Sequence, residues 1–112
     1  MLVGLSIHIE EEKSISIVRL EGRMDAANSP KLEAKLGELI KGGRTAFVLD
    51  FAKVDYLSSA GMRLLLAMTK QLSGTGKLNL CSINEDVMEI IKMAGFERIL
   101  SIYPTEKEAL DA

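Results

Sequence analysis

Hydrophobic positions near the start of the chain recur every second residue. Leu5, Ile7 and Ile9 alternate with Ser6 and His8, and Ile15 and Ile17 alternate with Ser14 and Ser16 before Val18, Arg19 and Leu20. A period of two is the mark of half-buried strands. The acidic link Glu10-Glu11-Glu12-Lys13 is short enough to join them as a hairpin, and its carboxylates read as a solvated turn, although the favoured Asn-Gly pair is absent. Gly22 is expected to end the second strand, with a loop over 23–28. From Ser29 the period changes. Leu32, Leu36, Leu39 and Ile40 fall on one face of a helix, with Ser29 read as N-cap, Pro30 at the first helical position and Gly42-Gly43 as the stop.

A third strand is predicted from Ala46 to Phe51, leading through Lys53-Val54-Asp55-Tyr56-Leu57 into a helix that starts at Ser58-Ser59. Gly74-Thr75-Gly76 breaks that helix, and Leu78 to Ile83 reads as a fourth strand. Asn84 caps a third helix, Glu85 and Asp86 suit its dipole, and Val87, Ile90, Ile91 and Ala94 are expected inside. Gly95 closes it. Ile99 to Tyr103 reads as a short edge strand, and Thr105 to Glu108 as a capping box opening a last short helix. The order β-β-α-β-α-β-α-β-α predicts an α/β domain spanning 1–112. It has two layers: a mixed, mostly parallel sheet of four or five strands with an antiparallel N-terminal hairpin, and about four helices on one face.

Composition narrows the function more than the fold. A chain of 112 residues with 47% hydrophobic content can bury a core, and no apolar run nears the ~20 residues of a membrane span. Basic and acidic residues nearly balance at 14 and 16, no Lys/Arg cluster stands out, and aromatics are only 4%; nucleic-acid binding is therefore not expected. No basic stretch followed by an apolar segment marks a secretory signal. The single cysteine, Cys81, rules out an internal disulfide and suits a reducing compartment, so a cytoplasmic protein acting on another protein is expected.

Catalysis finds little support. The only histidine, His8, alternates with Ile7 and Ile9 onto the solvated face, so no base is placed for a serine nucleophile. One Cys and one His give no metal-ligand spacing, Gly74-x-Gly76 lacks the rest of a phosphate-binding loop, and Cys81 reads as core. We expect no enzyme activity and no cofactor.

The informative stretch is Tyr56-Leu57-Ser58-Ser59-Ala60-Gly61-Met62-Arg63, where a strand gives way to a helix. Two hydroxyls there face unpaired backbone N–H groups and the positive end of the dipole, which favour an anionic oxygen. At 100° per residue, Leu64, Leu65, Met68 and Leu72 share an arc about 100° wide with Gly61 in its middle, so Gly61 permits close approach to the sheet. Met62 and Leu66 fall roughly opposite, on the stripe of Ser59 and beside Arg63. That stripe reads either as ordinary exposed apolar residues or as a docking strip headed by a hydroxyl. The serine pair reads either as a simple N-cap or as a modification site, and Asp25 either as a turn residue or as part of the surface a partner meets.

The chain resembles the STAS domains, and specifically the bacterial anti-sigma-factor antagonists. The resemblance rests on Gly22-Arg23-Met24-Asp25-Ala26-Ala27-Asn28-Ser29, on Val48-Leu49-Asp50-Phe51 and on Tyr56-Leu57-Ser58-Ser59-Ala60-Gly61-Met62, in that order. It implies that Ser59 is phosphorylated by a partner that is both anti-sigma factor and ATP-dependent serine kinase. The unphosphorylated form would bind that kinase and release the sigma factor, and a metal-dependent, PP2C-like serine phosphatase would restore it. The ATP and metal would belong to those partners. Asp25, Asn28, Ser58, Ser59, Met62, Arg63 and Leu66 are the expected partner-facing residues, on a chain expected to be monomeric. Two departures from the family pattern stand out: Ser58 replaces a common acidic residue and becomes a possible second acceptor, and Arg63 replaces a frequent glycine. The competing reading is a constitutive STAS accessory subunit of a transporter or another regulatory complex.

Overall fold

A computed structural model describes residues 4–112. The elements follow in the order β1 (Leu5–Glu12), β2 (Ile15–Met24), α1 (Ser29–Lys41), β3 (Ala46–Leu57), α2 (Ser59–Leu72), β4 (Lys77–Cys81), α3 (Glu85–Met93), β5 (Ser101–Tyr103) and α4 (Glu106–Asp111). Five strands form one sheet in the order β1-β2-β3-β4-β5. The β1–β2 pair is antiparallel and every other pair parallel, as the predicted order of elements requires.

Three boundaries differ from expectation, each for a reason found across the sheet. β1 runs through the acidic triplet, and the turn is only Lys13-Ser14, with Lys13 at φ 57°. Two of the three carboxylates are paired rather than merely solvated: Glu10 Oε2 accepts from Arg19 Nε at 2.6 Å, and Glu11 Oε1 from the Ser16 hydroxyl at 2.9 Å. β2 does not end at Gly22. That residue takes φ 117° where the register with β3 shifts, so the strand bulges and continues to Met24. β3 likewise continues to Leu57, because the prolonged β2 offers it partners: Gly22 pairs with Val54 and Met24 with Leu57.

Smaller differences occur at the caps. Asn28, not Ser29, precedes α1, while Ser29 is buried and its hydroxyl donates to Asp25 O at 2.7 Å. Ala94 is exposed at the end of α3, whereas Val87 and Ile91 are buried as expected. β4 stops at Cys81, and β5 starts only at Ser101. Asn84 and Thr105 cap α3 and α4 as predicted, accepting from Val87 N–H at 2.8 Å and Glu108 N–H at 3.2 Å.

Side-chain alternation along β3 divides the core in two. Phe47, Leu49 and Phe51 join Val18 and Leu20 of β2, Leu78 and Leu80 of β4, and the inner faces of α1, α2 and α3. Val48 points the other way, with Cys81 of β4, and meets Ala109 of α4 together with Ile15, Tyr103 and Leu110. The expectation of about four helices on one face is therefore corrected to three, with α4 on the opposite face. A strand whose consecutive residues are all buried needs cover on both sides. Burial under α4 also pushes the Cys81 thiol above its ordinary range.

Arg19 fixes the second face electrostatically. Its guanidinium reaches Glu10 on β1, Asp50 on β3 at 2.9 Å and Glu106 on α4 at 2.6 Å. The hydrogen bonds that Arg19 donates to Glu106 and Glu10 hold the guanidinium firmly protonated, and Arg19 in turn holds Glu10 below the ordinary carboxylate range. Asn79 adds a buried bond to Ala109 O at 3.0 Å. Arg19→Met should lower the thermal midpoint at pH 7 by several degrees, since it leaves three carboxylates without their common cation. Because the Glu10 value is depressed by folding, this contribution is complete above the ordinary carboxylate range and fades as pH falls through the folded value. The gap between wild type and variant, followed by circular dichroism, is expected to narrow below about pH 4.

Candidate functional site

The ends of β2 and β3 bring the sequence motifs together. Prolonging both strands places Arg23 beside Tyr56 and Met24 beside Leu57, so the 22–29 motif and the 56–62 motif share one edge of the domain. The Arg23 guanidinium stacks on the Tyr56 ring at 4.3 Å from its centroid, a cation–π contact. Asp25 follows at the start of the β2–α1 loop. Its Oδ1 accepts from Asn28 N–H at 2.9 Å, and its Oδ2 lies 3.7 Å from Arg23 Nε. Asp25 therefore performs the turn role, and it remains partly exposed beside the start of α2.

The two serines divide the labour at that helix start. Ser58 is the N-cap, in extended geometry, and its hydroxyl accepts from Gly61 N–H at 3.1 Å while donating to Met24 O, also at 3.1 Å. Met24 O receives Ser58 N–H as well, at 2.9 Å. Both halves of the Ser58 hydroxyl are used. Ser59 is the first helical residue and is exposed, and no hydrogen bond of its hydroxyl occurs among the described residues. Its Oγ faces outward without a competing partner.

Gly61 makes this geometry possible. A Cβ at that position would lie 2.7 Å from Leu57 Cδ1 and 2.9 Å from Met24 O, so the helix could not sit as close to the strand ends. The close approach read from the helical arc is thus present, against both strand ends.

Met62 is a correction. The angular projection placed it on the outward stripe, yet it is only 5% exposed and belongs to the main core. A wheel assumes one buried face. Here the first turn of α2 lies against the extended ends of β2 and β3, where Met24, Val54 and Leu57 are all buried. The start of α3 is tied to the same place, because Asn84 Nδ2 donates to Val54 O at 2.9 Å. Leu66 is half-buried, and Arg63 is exposed. The outward stripe is therefore Ser59, Arg63 and part of Leu66, without the expected methionine.

Sequence reasoning missed the cleft between α1 and α2, lined by Pro30 and Glu33 on one side and Ala60, Arg63 and Ala67 on the other. The small residues Ala60 and Ala67, seven apart, were the available signal for close helix packing. Among the described residues, no group of three acidic, Cys or His side chains is arranged to hold a metal. No helix is long and apolar enough to cross a membrane.

A STAS domain family model matches residues 6–109. The chain belongs to the STAS family. It is 36% identical over 101 residues to a Bordetella bronchiseptica protein provisionally named an anti-sigma factor antagonist, BtrV, covering 89% of this chain and 84% of that one. Among solved structures, an anti-sigma factor antagonist from Mycobacterium paratuberculosis superposes with TM-score 0.87 at 24% identity, covering 96% of this chain and 92% of that chain. The Bacillus cell-fate determinant SpoIIAA, solved in its phosphorylated form, gives TM-score 0.70 at 22% identity, over 95% and 97% of the two chains. At these identities the structural likeness shows the fold alone.

Two substitutions separate the roles in this STAS domain. Gly61→Ala should destabilise by about 1–3 kcal/mol in urea unfolding, because backbone and a packed Leu57 must both give way. Met62→Asp should unfold the domain or lower its stability by several kcal/mol, by burying a carboxylate in the core. A circular dichroism melt of Met62→Asp that matches wild type would show the residue on the surface.

Proposed function

We propose that this chain is an anti-sigma-factor antagonist, a regulatory rather than catalytic domain switched by phosphorylation of Ser59. Support comes from the antagonist names its relatives carry and from one observation: Ser58 satisfies the helix start, leaving the Ser59 hydroxyl exposed and uncommitted. The unphosphorylated surface, comprising Asp25, Asn28, Ser58, Ser59, Arg63 and Leu66, binds an anti-sigma factor that is also a serine kinase. The sigma factor is thereby released. The domain acts as a cytoplasmic monomer.

The chemistry needs only an accessible acceptor here. The Ser59 oxygen bonds to the γ-phosphorus of the kinase's Mg²⁺-bound ATP, the bond to the ADP leaving group breaks, and the hydroxyl proton passes to a base on the kinase. The product carries about −1.5 to −2 charge at pH 7. In an interface shaped for a neutral hydroxyl, that charge must be desolvated, and each ~1.4 kcal/mol lost weakens binding tenfold. A PP2C-like phosphatase reverses the modification: water attacks phosphorus, and the serine oxygen departs and takes a proton. Ser58 is poorly suited to the same fate, since a phosphate there would forfeit both its cap bond and its bond to Met24 O.

Kinase treatment with ATP should place one phosphate on Ser59 by mass spectrometry. Ser59→Ala should bind the kinase with or without ATP, and Ser59→Asp should bind at least tenfold more weakly. Ser58→Ala should still be phosphorylated while losing about 0.5–2 kcal/mol of stability from the missing cap. Phosphate found on another residue, or equal binding by Ser59→Ala and Ser59→Asp, would remove the switch.

A further inference from the structure

We infer that Arg63 is the internal counter-ion of a phosphate on Ser59, so that the modification both adds a dianion and withdraws a cation from the surface. The inference rests on the phospho-switch reading and extends it to how the modified state is held. Ser59 and Arg63 are one turn apart on α2 and both are exposed. Side chains four apart in a helix lie on the same face, and an anion N-terminal to a cation is the stabilising order. Arg63 is free for this role: no carboxylate lies within ion-pair distance of it among the described residues.

The surrounding charges make Arg63 the candidate. Arg23, the other cation at this edge, is engaged with the Tyr56 ring and with Asp25. Lys31 is held by Leu5 O at 2.6 Å. Glu33 lines the α1–α2 cleft with Arg63 but forms no ion pair with it. A phosphate one turn before Arg63 presents acceptor oxygens to a planar guanidinium, a charge-assisted pairing that a neutral hydroxyl cannot offer. Before modification Arg63 projects beside the cleft, available to a carboxylate on a partner. After modification it is drawn along α2 towards residue 59.

The experiment installs phosphoserine at position 59 during translation, so that no kinase is needed, and follows the phosphate by ³¹P NMR against pH. The second ionisation should fall about 0.3–0.7 pH units lower in the otherwise wild-type chain than in Arg63→Gln, with the gap shrinking in high salt. Arg63→Lys should recover part of the shift, and Arg98→Gln, remote on the α3–β5 connection, should titrate as wild type. Identical titration of wild type and Arg63→Gln would overturn the inference, as would a shift lost in Arg23→Gln instead. Failure of the kinase to modify Ser59 is a separate result that bears on the switch alone.

Discussion

A single carbonyl oxygen organises the candidate surface. Met24 O, at the end of β2, accepts the Ser58 N–H at 2.9 Å and the Ser58 hydroxyl at 3.1 Å, and it would lie 2.9 Å from any Cβ on residue 61. The strand end, the cap and the first turn of α2 are therefore locked into one arrangement. Because Ser58 is consumed by this lock, the next hydroxyl, one position into the helix, is rotated outward and left without a partner. Exposure of Ser59 is a consequence of Ser58 being occupied.

That arrangement depends on strands longer than a half-buried alternation requires. The bulge at Gly22 lets β2 bend and continue, which provides β3 with a parallel partner as far as Leu57. Without the extension, the loop bearing Asp25 and the helix bearing Ser59 would not share an edge, and Arg23 could not lie over Tyr56. The same extension explains the burial of Met62. Its turn of helix packs against the buried strand ends, where Met24 and Leu57 approach Gly61, rather than resting on the sheet with its back to water.

The opposite face of the sheet follows a different logic. There Arg19 gathers carboxylates from β1, β3 and α4, and a small apolar cluster around Val48, Cys81 and Ala109 completes the contact. A six-residue helix is too short to be stable alone. Its position comes from tertiary contacts, and these keep Cys81 buried. The candidate surface and this clasp lie on separate parts of the molecule, so a charge added at Ser59 has no direct claim on the packing of α4.

Local chemistry made much of this protein legible without coordinates. Strand and helix order, the hairpin, Asn84 and Thr105 as caps, the close approach at Gly61 and the special place of the serine pair all follow from period, turn residues and hydrogen-bonding side chains near in sequence. The STAS relationship was legible in the motif order as well. What needed the tertiary structure was everything set by residues distant along the chain. Pairing across strands carried β1 through its glutamates and β2 past its glycine, and burial of the consecutive residues Phe47, Val48 and Leu49 called α4 to the second face. A bond from Ser58 to a carbonyl 34 residues earlier decided which serine caps and which is presented. Met62 lost its place on the surface for the same reason: a helical angle fixes direction about one axis, while burial is decided by whatever else packs against that side.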